Sequence, residues 1–365
     1  MTMVESRPQT AEDGIRQTWK VAPERIDAAK RSFVTRRVVA GEMTTLVRDE
    51  PPRAGDLVLA RIERLRQHQR IETMEGRRAH LHPDDEVILA YGNRYAPDQF
   101  EGVVPDDLGP VNMVAAGGVA AKMIHRHEQI KPATEISPIG LIGDADGRPL
   151  NLKRYRISHA PAQPARPPTI AVVGASMNSG KTTMAAALVH GLTRAGLRVG
   201  AAKVTGTGSG GDLWMMLDSG ASRVVDFTDA GHPSTYRVGH DEVVETATGL
   251  IGHLGEMDAI VVEVADGLFQ RETNALLETP EFVRVVDGFL FASGDALAAT
   301  AGVSWMCTRG LFVLGAGGLL TRSPLSLQEA QANLRMPVLT RSELSDPGVA
   351  SRLIASRPAV IESCA

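Results

Sequence analysis

The stretch of sequence that decides the fold is TIAVVGASMNSGKTTMAAALVHGL, residues 169–192. An apolar run is followed by a loop of small and polar residues, and then by a segment of helix-forming residues. The loop follows the pattern of a glycine, four residues and then Gly-Lys-Thr, which joins a strand to a helix in phosphate-binding loops. It departs from that pattern once, since Ala175 takes the first glycine position and Gly174 stands just before it. We predict a strand, a phosphate loop and a helix.

The side chains of this loop suit the binding of a nucleotide. Backbone amides in a tight turn and the positive end of a helix dipole both attract phosphate oxygens. Lys181 adds a point charge, the Thr182 hydroxyl can bind Mg²⁺, and Thr183 can instead reach the α-phosphate. The alternative is a glycine and serine turn that opens a core helix. We predict that ATP, or GTP, binds with Mg²⁺ at ten residues: Gly174, Ala175, Ser176, Met177, Asn178, Ser179, Gly180, Lys181, Thr182 and Thr183.

Two charged residues that end later apolar strands are further candidates. Lys203 ends the run VGAA, and glycines in the loop after it lead to Asp212. Glu263 follows the apolar residues 260–262, where an unpaired carboxylate would be costly. Because ligands bind at the carboxyl ends of parallel strands, we predict a catalytic role for Lys203 and a metal-binding role for Glu263. The alternative for Lys203 is a surface lysine on a strand tip.

Several loop residues allow two interpretations. Arg271 can neutralise charge that develops on a transferred phosphoryl group, as a catalytic residue, or it can cap a helix. Asp266 is a second acid close behind the strand end, and it is a candidate for the metal side of the site. Residues 226–236, which include His232, form either a loop that gates substrate or nucleotide, or a purely structural loop.

The strand and helix pattern changes along the chain. After residue 169, apolar strands alternate with helix-length segments, which predicts an α/β fold with a doubly wound parallel sheet. Earlier, short strand-like runs broken by turn residues predict a smaller, mostly antiparallel barrel or sandwich, with one helix at residues 105–131. We predict four parts: a flexible segment at 1–32, a β-rich domain at 33–157, a proline-rich linker at 158–168 and a phosphate-loop domain at 169–365.

The segments GASMNSGKTT, AAKVTGTGSGGD and VVEVADGLFQRE resemble one branch of the P-loop NTPases. This branch contains dethiobiotin synthetase, cobyrinic acid a,c-diamide synthase and the NTPase of molybdopterin guanine-dinucleotide biosynthesis. The resemblance covers about residues 169–345. In dethiobiotin synthetase-like enzymes, the lysine ending the second strand binds the carbamate of the substrate, and Lys203 holds that place. The resemblance also implies three Mg²⁺ ligands: Thr182, Asp212 and Glu263.

Two departures from these families limit the comparison. Family members commonly have glycines after the glutamate, whereas residues 264–266 here precede Gly267. The lysine found early in the loop of partition-type ATPases is absent, since Ala175 and Ser176 stand there. A dimer that exchanges loop lysines is therefore not predicted, and another kind of homo-oligomer stays open.

Composition excludes several classes of protein. Lys and Arg number 39 against 43 Asp and Glu, and the net charge of −4 argues against a nucleic-acid or membrane partner. Cys307 and Cys364 are too few for a disulfide framework or a zinc site, so we predict a cytoplasmic location. The start of the chain lacks the apolar run of a signal peptide. The apolar residues 296–320 contain Arg309 and glycines, and we predict a helix, a turn and a strand there.

The histidines come in two pairs that share one face if the backbone is extended: His80 with His82, and His125 with His127. A transition-metal site needs more ligands than either pair supplies, so we predict solvated or hydrogen-bonded histidines.

Two functions follow from these features. The first is an ATP- and Mg²⁺-dependent enzyme, ligase-like or kinase-like, that activates a carboxylate, carbamate or hydroxyl of an unknown small molecule by phosphoryl transfer. The second is an NTP-driven switch or chaperone that acts on a protein or cofactor partner. Stimulation of hydrolysis by a metabolite or by a macromolecule would separate them.

Overall fold

The computed structural model describes residues 18–158 and 166–356, and the chain divides into two compact units. The first, here called the β unit, contains residues 18–157 together with Thr207–Gly210 and Thr228–Tyr236. The second, here called the α/β unit, contains the other described residues. Residues 1–17, residues 159–165 of the predicted linker and residues 357–365 lie outside the described residues.

The β unit consists mostly of strands. Residues 18–31, which the sequence assigns to a flexible start, contain two short strands and a helix. Short 3-10 helices lie at Phe33–Thr35, Ala40–Glu42 and Leu152–Tyr155. The helix is α1 (Pro23–Ala28), and the strands are β1 (Thr18–Lys20), β2 (Lys30–Arg31), β3 (Thr45–Val47), β4 (Leu57–Arg64), β5 (Arg70–Glu72), β6 (Arg78–His80), β7 (Glu86–Tyr91), β8 (Arg94–Tyr95), β9 (Phe100–Val103), β10 (Val111–Ala115), β11 (Val119–Arg126) and β12 (Thr134–Gly143).

Five of these strands close into a barrel. The pairs run from β12 to β4, β7, β11 and β10, and β10 pairs with β12 again, so the ring has no open edge. Only the β7–β11 pair in this ring is parallel. Apolar side chains such as Ile62, Leu89 and Met113 are fully buried in one cluster. The predicted β-rich region is therefore present, in the form of a mostly antiparallel barrel.

The helix predicted at residues 105–131 is wrong. The structure has β10 and β11 there, and these strands form an antiparallel pair across a turn. Gly118 in that turn has a φ of +107°, a backbone region that favours glycine. The small residues of this segment fit a helix locally, but β10 also pairs with β12 and β11 with β7 and β9. Pairing between distant strands therefore decides the local structure.

The α/β unit alternates strands and helices. Its strands are β13 (Thr169–Gly174), β14 (Val199–Lys203), β15 (Arg223–Asp226), β16 (Ala259–Glu263), β17 (Gly288–Ala292), β18 (Val313–Gly317) and β19 (Val338–Leu339). Its helices are α2 (Lys181–Arg194), α3 (Gly211–Asp218), α4 (His240–His253), α5 (Arg271–Leu277), α6 (Pro280–Val283), α7 (Ala296–Cys307), α8 (Pro324–Asn333), α9 (Arg341–Leu344) and α10 (Pro347–Ala355), with a 3-10 helix at Leu319–Arg322.

The strands of the α/β unit form one parallel sheet with the order β15-β14-β16-β13-β17-β18-β19. Helices pack on both faces of it. Leu290 and Ala292 of β17 lie in the cluster that contains α2 and α10. Phe291, between them, faces α7 so closely that a Cβ atom on Gly302 would lie 2.0 Å from its ring. The predicted α/β fold with a doubly wound parallel sheet is therefore confirmed.

The strand order places a crevice at the end of β13. Its neighbours β16 and β17 come later in the chain and lie on opposite sides of it. Connections that leave in opposite directions open a crevice at the carboxyl ends of such strands, where ligands bind in this class of sheet. The residues that follow β13 therefore occupy the position in the sheet that is best suited to a ligand.

The apolar residues 296–320 form the predicted helix, turn and strand, namely α7 and β18. Among the described residues, none of the helices has the length and apolar character needed to cross a membrane.

Candidate functional site

The loop from β13 to α2 is a tight turn held from two sides. The Ala175 amide donates to the Ala292 carbonyl over 2.9 Å, and the Leu319 amide donates to the Ser179 carbonyl over 3.0 Å. Gly180 has a φ of +100°, and an added Cβ would lie 3.0 Å from the Gly318 backbone. The loop shape therefore depends on glycine at this position and on the strands β17 and β18 beside it.

Lys181, the first residue of α2, points back over the loop. Its ammonium donates to the carbonyl oxygens of Ser176, at 2.8 Å, and Asp266, at 2.5 Å. Burial lowers the pKa of Lys181, and the negative charges of Glu263 and Asp266 oppose that effect. The structure thus places a cation at the mouth of a loop that follows a strand and opens a helix, which is the arrangement of a phosphate site.

The α/β unit has the P-loop NTPase fold. Three features of the unit define this fold: the parallel sheet, the position of the loop at the reversal of strand order, and the Gly-Lys-Thr sequence at the start of α2. No family model matches the chain, and no curated protein matches it in sequence.

Solved structures resemble part of the chain. A DUF1611 family protein from Anabaena variabilis is 12% identical, with a TM-score of 0.38, over 56% of this chain and 63% of that one. FtsY from Thermotoga maritima is 19% identical, with a TM-score of 0.36, over 55% and 72%. MinD from Pyrococcus horikoshii, complexed with Mg-ADP, is 15% identical, with a TM-score of 0.34, over 51% and 93%. Similarity at this level carries no inference about activity.

The three oxygen-bearing residues implied as Mg²⁺ ligands meet next to the phosphate loop. The Thr182 hydroxyl lies 3.1 Å from Asp212 Oδ1 and 2.9 Å from Glu263 Oε1. Thr182 belongs to the first turn of α2, Asp212 to the first turn of α3, and Glu263 to the end of β16. Residues far apart in sequence are thus brought to one point.

Glu263 has an unsatisfied oxygen at this point. It is 2% exposed, and its Oε2 atom has no hydrogen-bond partner among the described residues. Burial and the charge of Asp212 raise its pKa to about 7, although Lys203, Lys181 and the Thr182 hydroxyl oppose the shift. A buried carboxyl group with a free oxygen needs a proton or a cation.

Mg²⁺ fits this donor set. The ion prefers oxygen ligands and is usually held by one or two carboxylates, with waters and nucleotide phosphates completing the octahedron. Thr182, Asp212 and Glu263 supply one hydroxyl and two carboxylates. Among the described residues there is no larger cluster of acidic, histidine or cysteine side chains that could hold a metal alone. The site is therefore suited to a metal that arrives with a nucleotide.

Lys203 lies at the centre of a row of charges. It pairs in register with Asp226 on β15 and with Glu263 on β16, so three ionisable residues stand side by side at the carboxyl ends of adjacent strands. Its ammonium forms a salt bridge with Asp212 Oδ2. Burial lowers the pKa of Lys203, but Asp212 and Glu263 outweigh this and the net direction is upward, so the side chain stays charged.

The remaining candidates are less central. Asp266 contributes its backbone carbonyl to Lys181. Arg271 is exposed at the start of α5, where the Gln270 side chain is the cap. Among the described residues, no hydrogen bond or ion pair joins Arg271 to the phosphate loop, and its catalytic role stays a prediction. His232 is buried within residues 228–236 of the β unit.

A cavity of about 250 Å³ opens beside the phosphate loop in the α/β unit. Its walls come from the loop, from the segment after β18 and from the segment after β19, where the sequence LTRSEL resembles a loop that often contacts the base of the nucleotide. The segment after β18 is not among the predicted site residues, although the glycines at the end of this strand and just after it, Gly317 and Gly318, were a signal. The lining residues are Gly180, Thr183, Met184, Gly318, Leu319, Thr321, Arg322, Thr340, Arg341 and Ser342.

The β unit contains a second, more open cavity of about 310 Å³. His125 Nδ1 lies 2.7 Å from Glu101 Oε2, and the Tyr236 hydroxyl donates to Glu101 Oε1 over 3.1 Å. All three residues line the cavity, as does His127. The second predicted histidine pair therefore takes part in a polar cavity wall.

We expect Gly180→Ala to destabilise the protein by about 1–3 kcal/mol and to weaken nucleotide binding. A residue with a side chain is strained at a φ of +100°, and its Cβ would press on the Gly318 backbone. Urea unfolding would measure the free energy. Gly196→Ala is the matched control, because Gly196 has a φ of +86° but nothing within 4 Å of an added Cβ. Equal destabilisation by both changes would show that the contact with Gly318 contributes nothing.

Proposed function

We propose that the chain is a Mg²⁺-dependent enzyme that transfers a phosphoryl group from ATP to a carboxylate, carbamate or hydroxyl of a small molecule. One observation carries the proposal. The Thr182 hydroxyl lies within 3.1 Å of a carboxylate oxygen of Asp212 and of Glu263, beside a phosphate loop over which Lys181 lies. Phosphoryl transfer requires mainly positioning and neutralisation of charge. Both are available in this arrangement.

Each residue has a distinct part in the proposed reaction. The loop amides and Lys181 would bind the β- and γ-phosphates, and Thr182, Asp212 and Glu263 would hold Mg²⁺. When bound, the metal neutralises negative charge on the phosphates. Lys203 keeps its proton and stands next to Glu263 in register. It is therefore the cation best placed to attract the carboxylate or carbamate of an acceptor.

The cavity beside the loop favours ATP over GTP. Guanine presents N1–H and N2–H donors, which a carboxylate accepts well, whereas adenine lacks that pair of donors. The described residues that line this cavity include the hydroxyls of Thr340 and Ser342 and the guanidinium groups of Arg322 and Arg341, with no Asp or Glu among them. Comparison of ATP and GTP in equilibrium binding would test this preference, and tighter binding of GTP would contradict it.

We expect Lys203→Ala to spare ATP binding while it abolishes turnover that depends on the acceptor. The side chain forms a salt bridge with Asp212, and among the described residues it makes no hydrogen bond to the phosphate loop. Binding of a fluorescent ATP analogue, and phosphate release with a set of small carboxylates and amines plus bicarbonate, would measure the two effects. Lys122→Ala, an exposed lysine on β11, is the control. Stimulated turnover that survives Lys203→Ala would end the acceptor role.

One observation favours the alternative, an NTP-driven switch. The segments Thr207–Gly210 and Thr228–Tyr236, which follow β14 and β15, belong to the β unit. Loops at these strand ends are well placed to respond to a bound nucleotide. Hydrolysis that is stimulated by a macromolecule and by none of the small molecules would favour the switch.

A further inference from the structure

A buried carboxylate of the β unit holds the loop that leads to Asp212. Glu72, the last residue of β5, is 2% exposed. Its Oε2 atom accepts a hydrogen bond of 2.9 Å from the Gly210 amide and one of 3.3 Å from the Ser209 hydroxyl. A carboxylate that accepts a backbone amide in a buried place forms one of the stronger hydrogen bonds in proteins. The loop is thus fixed two residues before the metal-ligand candidate.

The same loop is packed tightly within the β unit. A Cβ on Gly117 would lie 2.1 Å from the Gly208 carbonyl oxygen, and a Cβ on Gly208 would lie 2.4 Å from Val34. The Gly208 amide also donates to the Pro233 carbonyl over 2.9 Å. There is no room for the backbone at residues 207–210 to shift without disturbing its neighbours.

The second loop of the β unit is held by a separate ion pair. Arg36 lies 2.7 Å from Asp229 and donates to the Thr228 hydroxyl. The two loops are joined to each other by the bridge between Thr207 and Ser234. Both segments that interrupt the α/β chain after β14 and β15 are therefore anchored by charged side chains of the β unit.

We propose that Glu72 is a positioning residue for the Mg²⁺ site. It acts through the amide of Gly210 on the start of α3, the helix whose first turn carries Asp212. The inference rests on the proposed function, since it concerns the metal of the same site. It adds a residue that sequence motifs do not mark.

The experiment compares nucleotide affinity with and without Mg²⁺. Binding of a fluorescent, slowly hydrolysed ATP analogue is measured in EDTA and across a Mg²⁺ titration. We expect Glu72→Ala to leave the affinity in EDTA within about twofold. It should reduce the gain from Mg²⁺ roughly tenfold, because the charged hydrogen bond that holds the Gly210 amide is lost. Glu72→Gln keeps one acceptor oxygen and should retain most of the gain.

Asp56→Ala is the matched control. Asp56 is also a buried acid of the β unit, but its carboxylate accepts hydrogen bonds from the Arg53 amide and the Asn151 side chain, and within the described part of the chain none from the two loops. The Asp56→Ala substitution should lower the stability of the protein and leave unchanged the gain in nucleotide affinity that Mg²⁺ provides. The proposal is overturned if Glu72→Ala weakens binding equally in EDTA and in Mg²⁺, or if Glu72→Ala and Asp56→Ala behave alike.

If Glu72→Ala does not fold, Glu72→Gln decides. Its neutral oxygen forms a weaker hydrogen bond than a carboxylate, so a partial loss of the Mg²⁺ gain with unchanged affinity in EDTA supports the proposal. A full gain, or a gain lost together with affinity in EDTA, contradicts it. Failure of the proposed function has a different signature. Wild-type protein would then bind no nucleotide in either condition, and the inference about Glu72 would fall with it.

Discussion

Lys181→Ala is expected to lower the affinity for ATP roughly 100-fold and to abolish hydrolysis. The ammonium lies over the phosphate loop, where it already contacts two carbonyl oxygens. A charged hydrogen bond contributes about 1.5–3 kcal/mol, and ~1.4 kcal/mol corresponds to a factor of ten in affinity. Isothermal titration with a slowly hydrolysed ATP analogue, together with a phosphate-release assay, would measure both effects.

Lys181→Met separates charge from packing. Methionine keeps much of the apolar stem but has no positive charge, so the thermal stability of the free protein should change little while nucleotide binding is still lost. Since burial lowers the pKa of Lys181, removal of the charged group should not destabilise the free protein strongly. Unchanged hydrolysis in either variant would exclude the phosphate-loop assignment.

Glu263→Gln should have the second large effect. It should lower Mg²⁺-dependent turnover and raise the stability of the metal-free protein at high pH. Glutamine keeps the shape of the side chain but cannot bind Mg²⁺ as a carboxylate does. We expect loss of Mg²⁺-dependent turnover by a factor of 100 or more, on the order of 3 kcal/mol in transition-state stabilisation. Phosphate release at saturating ATP and increasing Mg²⁺ would measure the loss. Glu329→Gln, at an exposed position on α8, is the control.

In the metal-free protein, Glu263→Gln should raise the free energy of unfolding above pH 7 instead of lowering it. In the folded state the Glu263 carboxyl keeps its proton to about pH 7, against an ordinary value of 4.5. Between these values the folded state binds more protons than the unfolded state, so stability falls as pH rises. Above pH 7 the charged carboxylate costs the folded state on the order of 3 kcal/mol. Glu263→Gln should remove this pH dependence.

Denaturant unfolding in EDTA at pH 5 and at pH 8 tests that expectation. Wild type should be less stable at pH 8 than Glu263→Gln, and the two proteins should be nearly equal at pH 5. Added Mg²⁺ with nucleotide should restore wild type at pH 8, because a ligand that binds only the folded state stabilises it. A wild-type protein that gains stability between pH 5 and 7 relative to the variant would contradict the assigned environment of Glu263.

The α/β unit could be predicted from sequence because its signals are local. Residues 169–183 contain an apolar strand, a loop motif and the start of a helix in one short stretch of sequence. Each of these elements can be recognised from its own residues without knowledge of distant contacts. Lys203 and Glu263 could be placed at one edge because parallel strands align their carboxyl ends. Their registered pairing in the structure follows from that geometry.

The β unit was harder because its contacts join distant residues. The wrong helix at residues 105–131 arose from local composition, whereas strand pairing with β7, β9 and β12 decides that segment. Glu72 and Gly210 are 138 positions apart, and no spacing rule connects them. A buried glutamate on a short strand also resembles any solvated acid in a sequence, so nothing marked its role.

The division of the chain has a consequence for how this protein arose and how it can be altered. The backbone leaves the α/β unit twice, at residues 207–210 and 228–236, to complete the β unit. A recombination point at the linker would therefore separate these two segments from the rest of the β unit. We expect natural or laboratory chimaeras joined at that point to fold poorly, so the halves should be inherited and exchanged only as a pair.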